Sequence, residues 1–296
     1  MDIQPHMEGS PMANELRAGV AKVDITPPLG LTMAGYGARD TVSDGIEDPL
    51  YACAVALEQG DEACAIVVGD LIGIPGPLAG VLRERAEELC GLPAERIMAC
   101  ATHTHWGPAL RASGYLPPRL QEGVSEEYAL TCVRQMAGAV AEAWRRREPA
   151  VALAGTGDAD LASFNRRPVT VAGQVAMNLA LPLEQALVAS QVGHDLSLTW
   201  EKGGSPGERL SRPLEGVQGL RVGPVNSQVP VLKLVRPDGS PIAAVLSFGC
   251  HPVCGGDPDT TFYRYSADYP AYARRVIELT LGCPAVFLLG AAGDQV

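Results

Sequence analysis

The sequence predicts an α/β protein with a mixed β-sheet core flanked by helices, organised as a single large domain. Three observations predict it. Apolar runs at 51–57 and 63–69 join around Gln59-Gly60-Asp61, and runs at 229–235 and 241–248 join around Pro237-Asp238-Gly239; both are hairpin signals and imply antiparallel pairs. Strand, helix, strand passages leading to His103 and Asp294 favour parallel pairs instead. The chain of 296 residues, 47% hydrophobic, is long and apolar enough to bury a sizeable core.

Taken in order, residues 1–15 read as a disordered polar tail. Residues 18–24 alternate like a strand, which Thr26-Pro27-Pro28 stops because proline cannot continue a ladder. A glycine-rich loop covers 30–45. The first hairpin ends at Asp70, and residues 78–90 are helix formers closed by Gly91 and Pro93. The run 97–102 returns as a strand and delivers His103. Ser125 caps a longer helix whose core stripe is Leu130, Val133, Met136 or Ala137, Val140 and Trp144, with Arg145, Arg146 and Arg147 at its negative end.

A strand at 150–154 precedes the loop Asn165-Arg166-Arg167-Pro168. From 181 to 226 the pattern weakens around Gly203-Gly204-Ser205-Pro206-Gly207, so this stretch reads as a flexible surface insertion, with His194 in it solvent-exposed rather than catalytic. The second hairpin delivers His251. Pro270 opens a helix to about Leu281, and 285–289 is a short strand running into Gly290-Ala291-Ala292-Gly293-Asp294.

The formal charge of -11 argues against a nucleic-acid partner, because phosphate binding draws on clustered Lys and Arg. No apolar run approaches the roughly 20 residues that span a bilayer. The polar start lacks the apolar stretch of a secretory signal, so a cytoplasmic protein is expected. Eight cysteines in this length do not make a disulfide scaffold, and Cys53, Cys64, Cys100, Cys132 and Cys283 sit in apolar segments as buried thiols. Cys250 and Cys254, flanking His251, are an alternative pair of soft metal ligands.

Three of the five histidines fall in two short stretches, Ala101-Thr102-His103-Thr104-His105-Trp106-Gly107-Pro108 and Ser247-Phe248-Gly249-Cys250-His251-Pro252, each directly after a strand-like run. A strand end fixes an imidazole while the loop leaves it open, and a neutral ring nitrogen binds zinc. In an extended segment His103 and His105 would point to opposite faces, so one could bind an ion while the other holds a carboxylate, a water or the substrate. Asp70, His103, His251 and Asp294 all stand at the carboxyl ends of predicted strands, where ligands gather in open α/β sheets.

Six segments in order, Ala18-Gly19-Val20 through Asp24-Ile25-Thr26-Pro27, the stretch from Ala101 to Pro108, Phe164-Asn165-Arg166-Arg167-Pro168, Phe248-Gly249-Cys250-His251-Pro252, Ser266-Ala267-Asp268-Tyr269-Pro270 and Gly290-Ala291-Ala292-Gly293-Asp294, resemble the amino-terminal catalytic domain of the neutral/alkaline, non-lysosomal ceramidase family. The resemblance spans about Arg17 to the end and is broken over 181–226. It implies a catalytic domain over 16–296 with one zinc ion, whose water attacks an amide carbonyl. By resemblance, His103 and His251 are zinc ligands, His105 sits beside the metal as a supporting or substrate-binding group, and Arg166 contacts the reacting amide. The implied substrate is a small-molecule N-acyl or lipid-like compound, ceramide or a relative.

The chain also departs from the family pattern. The family's glutamate and tyrosine ligands lie beyond the position matching Val296, which leads to the expectation of a domain incomplete at its C-terminus. Val296 stands where characterised ceramidases carry a serine, and Trp106 replaces a small residue after the second histidine. Two other readings stay open: a metal-dependent esterase or phosphoesterase, with Asp70 and Asp294 joining the histidines around two ions, and a truncated, non-catalytic binding member of the family.

Overall fold

The structure is a computed structural model and describes residues 15–113, 116–159, 162–167, 224–255 and 260–296. The tail expected over 1–15 and the insertion expected over 181–226, His194 included, lie almost wholly outside the described residues. Contacts group the chain into two compact units: residues 1–155, 232–246 and 255–288, and residues 156–231, 247–254 and 289–296.

The first unit is built on a five-stranded mixed sheet. Its strands are β1 (Leu16–Asp24), β3 (Tyr51–Gln59), β4 (Glu62–Gly69), β5 (Ile97–Ala101) and β6 (Glu148–Pro149), in the order β5-β4-β3-β1-β6. β1 pairs antiparallel with β3, and β3 with β4 through the expected hairpin. β4 and β5 are parallel, with Val68 opposite Cys100 and Gly69 opposite Ala101. That pairing follows from the helix between them, because a crossover returns the chain in the same direction. β2 (Gly45–Ile46) and β10 (Arg264–Tyr265) form a separate parallel pair.

Helices α1 (Gly76–Cys90) and α3 (Glu126–Arg145) pack on each other, and α3 covers β1, β3 and β4. Gly91 closes α1 in a left-handed conformation, its N–H on the Glu87 carbonyl at 2.7 Å. Ser125 caps α3 by accepting from the Tyr128 N–H at 3.1 Å. The short α2 (Pro118–Gln121) precedes it.

The buried face of α3 differs from the expected stripe. Leu130 is 36% exposed, whereas Ala129, Cys132, Val133, Met136, Ala137, Val140 and Ala143 are buried. Trp144 lies at the edge, under the Arg147 guanidinium at 3.1 Å from the ring centroid. Small residues win because the helix approaches β1 closely: a Cβ on Gly19 would stand 2.1 Å from the Ala143 carbonyl oxygen. Contrary to expectation, Cys64 is exposed, in the poorly covered first half of β4, and Cys100 is only partly buried, while Cys53, Cys132 and Cys283 are buried thiols.

A second, four-stranded sheet contains β7 (Val151–Asp158), β8 (Gln228–Val235), β9 (Pro241–Phe248) and β11 (Ala285–Leu289) in the order β11-β9-β8-β7. Each of these strands is divided between the two units. Within the first unit, Val20, Val55 and Val68 share one apolar cluster with Leu234, Val245 and Val286. Covered by helices on one face and by this cluster on the other, Ala52 to Ala56 of β3 are continuously buried. α4 (Tyr269–Leu281), with Pro270 in its first turn, ends at Gly282. The mixed sheets with flanking helices are those the sequence predicts.

Candidate functional site

In the first unit the strand β5 stops at Ala101, and the chain turns over the end of the parallel pair. The Thr102 N–H donates to the Gly69 carbonyl at 3.0 Å and the His103 N–H to the Leu71 carbonyl at 2.9 Å. His103 has φ +67°, in the left-handed region a non-glycine residue seldom occupies. The alternation assumed for an extended His-Thr-His segment therefore fails. Instead of facing apart, the His103 and His105 rings meet edge to face, with centroids 5.1 Å apart. Thr104, buried between them, donates to the Ser266 carbonyl at 2.7 Å and accepts from the Trp106 N–H at 3.1 Å.

His103 Nδ1 lies 2.6 Å from the Ile72 carbonyl oxygen. A carbonyl only accepts, so Nδ1 carries the proton, and in the neutral ring Nε2 is the nitrogen with the lone pair. A cavity of about 600 Å³ is lined by Ile72 and Tyr36, the residues that touch His103 and His105, though by neither histidine itself. Its wall includes Ile72, Gly35 and Tyr36, the last edge-on to His105 at 5.2 Å between centroids, together with Ile74, Leu110 and Leu116. This is the size and apolar character of a small-molecule site.

In the second unit, His251 is 7% exposed, and its N–H donates to the Gln295 carbonyl at 2.9 Å. Its Nδ1 lies 2.9 Å from the Ala292 carbonyl oxygen, an acceptor, which leaves Nε2 as the ring nitrogen away from that carbonyl. Arg166 is also buried. Its Nε and Nη2 donate to the Gly293 carbonyl at 3.2 and 3.0 Å, and Nη2 stands 3.2 Å from His251 Nδ1. The Asn165 side chain donates to Asp294 Oδ2 at 3.0 Å, and the Arg166 N–H to the Asp294 carbonyl at 2.6 Å. The Asn-Arg loop and the Gly-Asp turn are thus bonded into one assembly around His251, joined by the bridge between Asn165 and Gln295.

Asp70 does not serve the role considered for it in a two-metal site. It is fully buried, and both carboxylate oxygens are engaged: Oδ1 by Arg274 Nη1 at 2.9 Å, Oδ2 by Arg274 Nη2 at 2.6 Å and by the Tyr51 N–H at 2.8 Å. Burial opposes the charge on Arg274, but Asp70 outweighs it and the guanidinium is held above its usual range. Cys250 is buried, with its Sγ 3.9 Å from the Ala162 carbonyl.

Sequence reasoning passed over Tyr36 and Arg39, which flank His105 from within the glycine-rich loop. An aromatic and a cation among glycines were the available signal. Gly35 has a fixed role here: its φ is +105°, and a Cβ on it would stand 2.6 Å from the His105 Cβ.

The fold and these two assemblies define an α/β protein with histidines just past its strand ends. Residues 16–173, more than half of the chain, match the model of the family described as neutral/alkaline non-lysosomal ceramidase, N-terminal. The chain belongs to that family. In fold it is similar to the crystal structure of neutral ceramidase from Pseudomonas aeruginosa, at a TM-score of 0.66 and 21% identity over 95% of this chain and 39% of that one. A ceramidase complexed with C2 matches equally, at 0.66 and 21%, over 95% of this chain and 38% of that one. The chain therefore spans about two fifths of the length of these relatives. No curated protein matches it.

Proposed function

We propose that this protein is a zinc-dependent amidohydrolase that cleaves an N-acyl amide in ceramide or a related lipid-like compound. The observation that carries the reading is that His103 and His251 each set Nδ1 against a backbone carbonyl, at 2.6 and 2.9 Å, the arrangement that orients a histidine to give Nε2 to a metal. His103 and His105, in the first unit, and His251, in the second, are the histidines that the family resemblance brings to the metal. We assign His103 and His251 as ligands and His105 as the neighbour that hydrogen-bonds the substrate. Imidazole nitrogens suit zinc.

When bound, zinc supplies a Lewis acid and a water whose pKa falls to about 7. The chain's own residues do the rest. His103 and His251 are held in orientation by the carbonyls of Ile72 and Ala292. Arg166, fixed by the Gly293 carbonyl, presents its cation to the oxygen on which charge develops as the amide carbonyl is attacked. His105, edge-on to Tyr36, would take the proton that the attacking water loses and return it to the nitrogen as the C–N bond breaks. The apolar cavity beside Ile72 and Tyr36 takes an acyl or alkyl arm of the substrate.

The test is release of fatty acid from a panel of N-acyl compounds, ceramide among them. The reading predicts release that a chelator abolishes and added zinc restores. Hydrolysis of esters or phosphoesters with no amide cleaved would contradict it.

A further inference from the structure

Arg39 is 1% exposed, one of the two largest fully buried side chains, yet its acceptors are all backbone carbonyls. Nη1 donates to the Ala34 carbonyl and, at 2.9 Å, to the His105 carbonyl; Nε donates to the Phe262 carbonyl at 3.0 Å. Its guanidinium carbon also lies over three rings, those of Phe262, Tyr36 and Trp106, at 4.8, 5.0 and 5.9 Å from their centroids. A guanidinium retains its charge when buried among carbonyl dipoles and aromatic faces. Burial lowers its pKa to about 10, which leaves it a cation at neutral pH.

Each contact ends on a different segment: the loop carrying Gly35 and Tyr36, the turn carrying His105 and Trp106, and the stretch carrying Phe262. The Tyr36 ring in turn packs against His105, Trp106 and Phe262 at 5.1 to 5.4 Å. One fork of donors thus ties down the backbone of His105 and the ring its imidazole leans on. Lysine could not replace it, because a single ammonium cannot reach three carbonyls while lying flat between rings.

We propose that Arg39 is a positioning residue that sets the His105 imidazole against His103, acting through the His105 carbonyl and the Tyr36 ring. The assignment of His105 to the reaction rests on the proposed function; the placement of its ring by Arg39 does not. A misplacement of about 1 Å in a reacting group can cost roughly a hundredfold in rate.

The test is the Arg39→Lys variant of the full chain with isotope-labelled histidine. The His105 imidazole signals are assigned by their loss in His105→Gln. In the metal-free protein, Arg39→Lys is expected to shift or broaden the His105 signals and leave those of His251 in place. In the amide assay it is expected to lower kcat about a hundredfold with KM within about twofold. If Arg39→Lys does not fold, Phe262→Leu, which removes one ring and keeps the carbonyl, decides by the same signals. Unchanged His105 signals in a folded variant would overturn the proposal. Absence of amide hydrolysis in the unaltered protein would overturn the proposed function and leave the spectroscopic result to judge Arg39.

Discussion

Arg274 closes a two-pronged ion pair on Asp70, at 2.9 and 2.6 Å, with both side chains all but removed from solvent. The pair joins α4 to the end of β4, one residue past Gly69, whose carbonyl receives the Thr102 N–H before His103. Its two residues are 204 positions apart.

Breaking that pair from one side leaves a buried charge. Arg274→Met and Asp70→Leu are each expected to lower the unfolding free energy by about 3 to 5 kcal/mol. The double variant should recover most of the loss, since packed apolar groups can replace a buried pair. Urea denaturation of the three variants measures it, and additive losses in the double variant would contradict a direct pairing.

Gly35 and Gly30 both have positive φ, at +105° and +86°, but a Cβ meets His105 at the first and nothing within 4 Å at the second. Gly30→Ala should therefore show backbone strain alone, about 1 to 2 kcal/mol. Gly35→Ala should cost that and a further 1 to 3 kcal/mol or so of overpacking, and should displace His105. Thermal unfolding of the two variants distinguishes the terms; equal losses would contradict the close approach.

Burial raises the Asp48 carboxyl above its ordinary range, against the hydrogen bonds it accepts from the Ser266 hydroxyl and the Ala267 N–H. A raised acid binds its proton more tightly in the folded chain than in the unfolded one. Its contribution to stability is thus fully present below the unfolded value of about 4 and is lost as pH rises through the folded one. Relative to the unaltered protein, Asp48→Asn should gain stability on going from pH 4 toward neutrality and then level off. Denaturation at several pH values tests this, and a difference that does not vary with pH would contradict it.

For Arg166, the proposed function predicts that Arg166→Met lowers kcat by about 10² to 10³, the usual cost of removing a donor from a developing oxyanion. Zinc content should stay unchanged, because Arg166 offers the metal no lone pair. Loss of the metal in this variant would show instead that Arg166 serves to hold His251.

What was legible in the sequence was mostly local. Gln59-Gly60-Asp61 and Pro237-Asp238-Gly239 gave both hairpins, and Ser125 and Gly91 marked helix ends that the structure bears out. The association of Arg166 with the Gly-Asp turn came from the family resemblance, since nothing in either segment alone reveals it. Other features depend on distant contacts. The left-handed turn at His103 reverses the geometry expected of a His-x-His strand, and it is set by carbonyls of Gly69 and Leu71 that no local pattern displays. Asp70 read as a strand-end carboxylate until Arg274 was seen to occupy it. Arg39 was hidden in a glycine-rich loop because its three acceptors are backbone groups, which carry no sequence signal.

In the proposed function, His103 and His251 hold one zinc ion with His105 beside it. Metal content per chain after zinc loading and dialysis tests it most directly, compared between the unaltered protein and His103→Ala, His251→Ala and His105→Gln. One zinc per chain is expected in the unaltered protein and in His105→Gln, and little in either of the other two. Full zinc content in folded His103→Ala or His251→Ala, or none in the unaltered protein, would contradict it.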